Sequence, residues 1–493
     1  MRLEHELLNL LHRQKKIKRE LRRATNPPRI EGGRPRLKGD WVIAYLLFVA
    51  SSEPTIKRWH DRTSNRIWER CRFKSKPKYD TVHHHFARLE AHADVVRAAA
   101  SRLMLLAVKK SHGMVGRDIH VDGTEAESNT RAYHDCEPGT CPRGKSPGRS
   151  PIAKAPTPIA QEERQQQAGK VPGTEDHTLE PTEVQRRRGG KRVKQQNGCW
   201  YWISDPSAGI RMHSGPRGTV KRFWVGFNNM KAIDHYTGAV IANITVPADV
   251  NEASAYPSLL NQAMENTGVT PRAVVADRGF SLNQVFEINT KAGIASVIHW
   301  RKQKAGEERH TVGTEHFDQH GIPLCQKCGG PTTQIRFSAG NHPRIWFRCD
   351  HGCGEGTVVC SKGWRYLLPL ARTTEAYMAL RNSHSHYEKA HWRWRDQWKV
   401  GPDNASNRPR RRGIECQELR GQAALLLEWL IVCHREGWLG GKRINTATKQ
   451  VIRATRQLKR LLDSRVRQGL HLKPADRPAH LRQLKQSAKP RAG

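Results

Sequence analysis

The chain has 493 residues, 37% of them hydrophobic, and carries 85 Lys and Arg against 46 Asp and Glu, a formal net charge of +39. Such a length exceeds one ordinary core and predicts two or three domains, while such a charge resists compaction unless a polyanion neutralises it, which points to nucleic acid. The longest apolar run, Val42 to Ala50, is too short to span a bilayer and no secretory signal is visible, so the expectation is an intracellular protein without membrane contact, in which close pairs among the eleven Cys are metal ligands rather than disulfides.

Residues 1–33 read as a basic helical arm ending at Asn26-Pro27-Pro28, and residues 1–40 hold twelve Lys and Arg against five acids. Residues 34–110 read as an all-helical region, a candidate DNA reader, built from WVIAYLLFVA, TIKRWHDR and KYDTVHHHFARLEAH. In the last of these, Val82, Phe86 and Leu89 form a core stripe and Thr81, His84 and Arg88 lie outside it. Two readings stay open there, a DNA recognition helix and a plain surface helix. RDIHVDGTEAES then alternates as a strand, placing Asp118, His120 and Asp122 on one face and Ile119 and Val121 on the other.

Residues 142–198 contain seven Pro and no Phe, Trp or Tyr, and the whole of 136–198 is expected to be a disordered linker or insertion, with order resuming at Cys199-Trp200. A hairpin follows, VKRFWVGFNNMKAI and AVIANITV, and then a helix in YPSLLNQAMENTG with Pro257 in its first turn and Gly268 near its end. Next come the strand AVVA, Asp277, a helix from Ser281 whose start Asp277 could cap, and the strand GIASVIHW. Strands alternating with helices after a hairpin predict an α/β fold, a mixed sheet flanked by helices, over residues 111–135 and 199–300, completed by 363–436. Residues 437–493 form a basic tail with fifteen Lys and Arg against two acids.

Acids at strand ends in such a sheet can converge, so Asp122 and Asp277 are expected to meet. Carboxylates suit hard cations, and two Mg²⁺ (or Mn²⁺) ions about 4 Å apart can hold the attacking and leaving oxygens of a phosphoryl transfer. A third acid is offered by RNSHSHYEKAHWRWRDQWK, residues 381–399, where His384, Glu388, His391 or Trp392, and Arg395 share one helical stripe. On that reading Glu388 is a metal ligand, and His384, Lys389, Arg393 and Arg395 hold phosphates. The alternative is a surface Glu pairing with neighbouring bases.

HVDGTEAES, TGAVIANITVPADVNEAS and VVADRGFS, with a glutamate among bases beyond them, resemble the DDE transposases of bacterial insertion sequences, and residues 34–110 resemble the helical region that precedes their catalytic domain. The resemblance implies an RNase H-like fold and a reaction that cuts element ends and joins them to target DNA. It also implies the terminal inverted repeats and target duplex as partners, a homo-oligomer on DNA and a cytoplasmic, nucleoid-associated bacterial protein. It makes Asp122 and Asp277 the first two catalytic acids and leaves Glu388 for the third. In many members an Arg precedes that Glu by four positions and a Lys follows it by seven; here His384 and Arg395 stand there, so Glu375, Glu415 and Glu418 remain alternatives. A catalytically silent DNA-binding descendant and a metal-dependent nuclease of the same fold are the competing functions.

Between Asp277 and Glu388, residues 301–362 hold Cys325 and Cys328, then twenty residues, then Cys349 and Cys353, the pattern of a zinc-ribbon-like insertion with a structural Zn²⁺. Gly329, Gly330 and Gly352 suit tight turns around the thiolates, with His351 or Cys360 as substitute ligands.

Overall fold

The computed structural model describes residues 2–25, 39–127 except 52 and 54, 132–134, 191–194, 199–214, 220–298, 310–312, 315–318, 322–338, 344–359, 368–400 except 373, 384–386, 388, 389, 392, 395–397 and 399, and 413–439. The first part is helical: α1 (Arg2–Arg13), α2 (Lys15–Thr25), α3 (Trp41–Ala50), α4 (Ile56–Arg62), α5 (Asn65–Arg70), α6 (Tyr79–Arg88) and α7 (Ala93–Lys110). The arm expected as one helix is two, broken at Gln14. The break lets two leucine-rich stripes bury themselves in different places, Leu7, Leu8 and Leu11 with α1 against α3, and Ile17 and Leu21 with α2 against α7. Helix α3 is apolar on every side and is buried along its whole length.

The central sheet turns on β1 (Asp118–Glu127), which pairs antiparallel with β6 (Val220–Asp234) and parallel with β8 (Ala273–Ala276). Strand β9 (Ala295–Ile298) lies parallel to β8. The long β6 pairs on its other side with β5 (Gly209–Ser214) through its first half and with β7 (Val240–Pro247) through its second. The order β7–β6–β1–β8–β9 is therefore antiparallel up to β1 and parallel beyond it, a mixed sheet. Strands β8 and β9 are buried at every position, as parallel strands covered on both faces are.

The β6–β7 turn is fixed by Asp234, whose Oδ2 accepts from the Thr237 backbone N–H at 2.7 Å and its hydroxyl at 2.6 Å. Helix α8 (Glu252–Thr267) crosses from β7 to β8, with Asn251 capping its start and Gly268 at φ +65° ending it. Pro257 sits one turn later than expected, because Glu252 to Ala255 extend the helix ahead of Tyr256. Helix α9 (Asn283–Ala292) joins β8 to β9. Helices α10 (Glu375–Asn382) and α11 (Ile414–Arg435) come last, and α11 packs on α7, α3 and β7.

One apolar cluster runs from Leu7 through the helices and sheet to Cys433, so the helical region shares its core with the sheet. The expectation of an unstructured 136–198 is corrected at its end: β3 (Lys191–Lys194) pairs with β4 (Trp200–Ile203), which also pairs with β2 (Ala132–His134). The aromatic, β-favouring sequence of β4 supplies ladder partners that a basic tetrapeptide can use despite its composition. A short hairpin, β10 (His310–Val312) and β11 (Glu315–Phe317), precedes a separate three-stranded sheet of β12 (Thr332–Ser338), β13 (Arg344–Cys349) and β14 (Glu355–Val359). Among the described residues no helix is long and apolar enough to cross a membrane.

Candidate functional site

The register of β1 with β8 ends at Val121 opposite Ala276, so Asp122 and Asp277 occupy the next step on neighbouring strands, whose backbones lie roughly 4.8 Å apart. Asp122 is half-buried; its Oδ1 accepts from the Gly123 N–H at 2.8 Å and its Oδ2 lies 3.1 Å from His391 Nε2. Asp277 is exposed, and its Oδ1 accepts from the Gly279 N–H at 2.8 Å. It therefore caps the 3-10 turn Arg278–Phe280 and not α9, whose N-cap is Leu282 without a side-chain bond. The turn arises because Arg-Gly-Phe folds back to bury Phe280 beside Tyr256, delaying the helix by two residues.

The expected face of β1 is present. At its start Asp118 forms a bidentate pair with Arg272, at 2.9 Å and 2.5 Å. Burial pushes this carboxyl up, but the guanidinium outweighs it and holds the group below its ordinary value. His120 is fully buried against Tyr387, with His235 Nδ1 lying 3.2 Å from His120 Nε2 and 2.7 Å from the Tyr387 hydroxyl. His391, four residues after Tyr387, lies over Asp122 and also meets the Thr124 hydroxyl through Nδ1 at 2.5 Å. Tyr387 and His391 thus follow β1 at helical spacing.

Glu388 and Lys389 fall between those contacts in sequence and, with His384 and Arg395, lie outside the described residues. Arg393, expected on a phosphate-holding face, instead gives its guanidinium to Glu428 at 2.8 Å and to the Gly238 carbonyl at 2.6 Å. Trp394 Nε1 donates to the same Glu428 at 2.8 Å, so this buried acid ties the segment to α11 and the β6–β7 turn. Of the alternative acids, Glu375 is exposed at the start of α10 and Glu415 is exposed at the start of α11. Glu418 opens into a cleft of about 240 Å³ with Asp94, Arg97, Glu265 and Gln422, in which neither Asp122 nor Asp277 takes part. Burial, with repulsion from Glu415 and Asp94, raises its carboxyl.

Two neighbours of Asp122 escape sequence reading. His391 was visible only as one member of a helical stripe. Lys231 pairs with Asp122 in the β1–β6 register, is fully buried, and places Nζ 5.5 Å from the Trp394 ring. A lysine set between Met230 and Ala232-Ile233 is the one signal that could have flagged it. On α6, Val82, Phe86 and the following Leu89 are buried, leaving His84 and Arg88 exposed and Thr81 half-buried.

The four cysteines come together. Cys325, Cys328, Cys349 and Cys353 place their sulfurs within 4.8 Å of one another. Four thiolates about 2.3 Å from a tetrahedral Zn²⁺ would stand roughly 3.8 Å apart, and Cys328 and Cys349 stand at 3.5 Å, so the set fits a structural zinc. Two tight turns build it. Gly329 at φ +67° donates its N–H to the Cys325 carbonyl at 2.7 Å, and Gly352 at φ +78° donates to that of Cys349 at 3.1 Å. Backbone N–H groups of Cys328 and Lys327 aimed at Cys325 pull its thiol down to about 7, whereas the neighbouring sulfurs push Cys353 up to about 12. Only a cation would let all four ionise together. His351 Nδ1 lies 3.8 Å from the Cys328 sulfur, outside the four, and Cys360 lies outside the described residues.

No known protein family matches the chain, and no curated protein matches it. Among solved structures the chain is similar to a piggyBac transposase synaptic complex with hairpin DNA, at 9% identity and a TM-score of 0.34, over 99% of this chain and 86% of that one.

Proposed function

We propose that the protein is a DDE-type transposase that cuts DNA at insertion-sequence ends and joins the freed 3′ hydroxyls to target DNA, on an RNase H-like core. The observation that carries the reading is the β1–β8 register, which runs to Val121 opposite Ala276, one residue before Asp122 and Asp277, where the sheet changes from antiparallel to parallel. A hairpin feeding parallel strands, with acids at that point, supports the RNase H-like assignment.

Asp122 and Asp277 supply hard oxygen donors, the chemistry that Mg²⁺ or Mn²⁺ takes. Two such cations, once bound, would activate the water or 3′ hydroxyl and stabilise the charge that develops at phosphorus. The chain's own residues orient the site. His391 Nε2 stands 3.1 Å from one oxygen of Asp122, and the Gly279 N–H fixes one oxygen of Asp277 while its exposure leaves the other side open to substrate. Glu388 is proposed as the third acid, since Tyr387 and His391 on either side of it lie against His120 and Asp122. Thr81, His84 and Arg88, on the open side of α6, are proposed to meet DNA.

The test is strand cleavage and joining with Mg²⁺ on a duplex ending in the sequences that flank the gene, comparing wild type with Asp122→Asn, Asp277→Asn and Glu388→Gln. Each variant is expected to bind DNA and to lose on the order of 10³-fold in rate, as when a transition-state contact is removed. Undiminished cutting by Asp122→Asn refutes the reading, and cut but never joined products make the enzyme a nuclease.

A further inference from the structure

The sheet beside the cysteine cluster has two unlike faces. Phe337, Ile345, Phe347 and Val358 are buried on the inner one, and Gly356 lies so close beneath Phe347 that a Cβ there would come within 2.5 Å of its ring. Alternation puts Arg336, Arg344 and Trp346 on the outer one. Arg336 is the cross-strand partner of Trp346 and Arg344 precedes it by two residues on β13. Their guanidinium carbons lie 4.6 Å and 5.6 Å from the centroid of that single indole. Both arginines are exposed and Trp346 is half-buried. Further along, Arg348 is matched by Glu355 at 2.9 Å.

We propose that this face is a phosphodiester-binding platform, on which Arg336 and Arg344, held by Trp346, grip the DNA backbone. One arginine over an indole is attracted by the negative face of the ring. A second brought to the same ring adds the repulsion of two like charges, which an anion between them turns into attraction. The indole also restricts both side chains before any ligand arrives, so less rotamer freedom is lost per hydrogen bond formed. Guanidinium forks match phosphate oxygens bidentately. The anion's identity as DNA rests on the proposed function and on a chain of net charge +39, which draws a polyanion and repels basic partners.

The experiment uses the full-length protein. Wild type is treated with an arginine-modifying dicarbonyl, alone and with a 30-base-pair duplex, and peptides are read by mass spectrometry. DNA is expected to protect Arg336 and Arg344 at least several-fold, and equal modification with and without DNA overturns the platform. Protection by an acidic polypeptide but not by DNA overturns the ligand assignment. In parallel, Arg336→Gln/Arg344→Gln is expected to keep its zinc and to lower the slope of log affinity against log salt by about two, since each phosphate contact contributes about 0.9. An unchanged slope refutes the platform. Protection requires no cleavage, so Asp122→Asn should retain it. Binding here without cutting refutes the transposase and keeps the platform; cutting with both arginines unprotected does the reverse.

Discussion

The cysteine cluster and the acids Asp122, in the middle of β1, and Asp277, just after β8, are two candidate metal centres built in opposite ways. The cluster draws its donors from residues 325–353 and closes them with turns in which each hydrogen bond spans only a few residues. The acid site draws on β1, the end of β8 and a segment whose His391 meets Thr124 across 267 positions. A local site states its ligands in its spacing. An assembled site states them only through topology, and its parts can be mistaken for ordinary surface chemistry until the sheet aligns them.

The largest expected effect tests the local half. Removing the metal with a chelator, or substituting Cys325→Ser with Cys349→Ser, should take zinc from about one per chain to none and unfold the three-stranded sheet, since structural zinc contributes roughly 10–16 kcal/mol in small zinc folds. Hydrogen exchange should rise over residues 322–359 and stay unchanged in β1, β8 and α11. Retained zinc in the double variant would show that the cluster is not the ligand set, and loss of protection across the central sheet would show that the two halves are not independent.

How much was legible follows the same division. The cysteine pairs, the glycines at their turns and the alternation of β1 could all be read, because each depends on neighbours within a few residues. The meeting of Asp122 with Asp277 was readable only as an expectation from strand order, and the β1–β8 register runs to Val121 opposite Ala276, one residue before each acid. His391 over Asp122, Lys231 across from it, and Arg393 drawn away to Glu428 were not readable, since each depends on which elements pack together. The Lys191–Lys194 strand was missed because composition describes a segment's own preference and not the partner that β4 offers it.

The next effect tests the floor of the assembled half. Asp118→Asn would leave the largely buried Arg272 without its carboxylate, and breaking a buried pair costs about 3–5 kcal/mol. Because the folded Asp118 carboxyl is held below its unfolded value, its contribution is present at neutral pH. It is lost as pH falls below the ordinary carboxylate value of about 4 and through the lower folded one. Denaturant unfolding between pH 7 and pH 3 should show the wild-type advantage shrinking with acid; a gap independent of pH would mean the aspartate stabilises by packing alone.

A smaller effect tests whether His391 orients the acid it touches. His391→Ala should lower the cleavage rate by about 10–100-fold, the range for a residue that positions a metal ligand, with DNA affinity unchanged. His391→Gln keeps a donor at similar reach and should recover part of the rate. Equal losses in both variants, or a loss that appears in DNA binding, would make His391 a structural contact rather than a positioning one.

The smallest effect on stability falls on Asp277, where capping and metal binding compete as explanations of one residue. Its Oδ1 accepts the Gly279 N–H, so Asp277→Ala should cost about 1 kcal/mol of stability whatever else the residue does. Asparagine caps as well as aspartate does but brings no charge, so Asp277→Asn should keep that stability to within a few tenths of a kcal/mol. The two variants therefore separate the roles. If Asp277 is only a cap, Asp277→Asn is silent in cleavage as in unfolding, and Asp277→Ala cuts at a near-normal rate below its melting temperature. If it is a metal ligand, both variants fail to cut while only the alanine loses stability, and raising Mg²⁺ or supplying Mn²⁺ should recover more activity in Asp277→Asn, which retains an oxygen donor, than in Asp277→Ala.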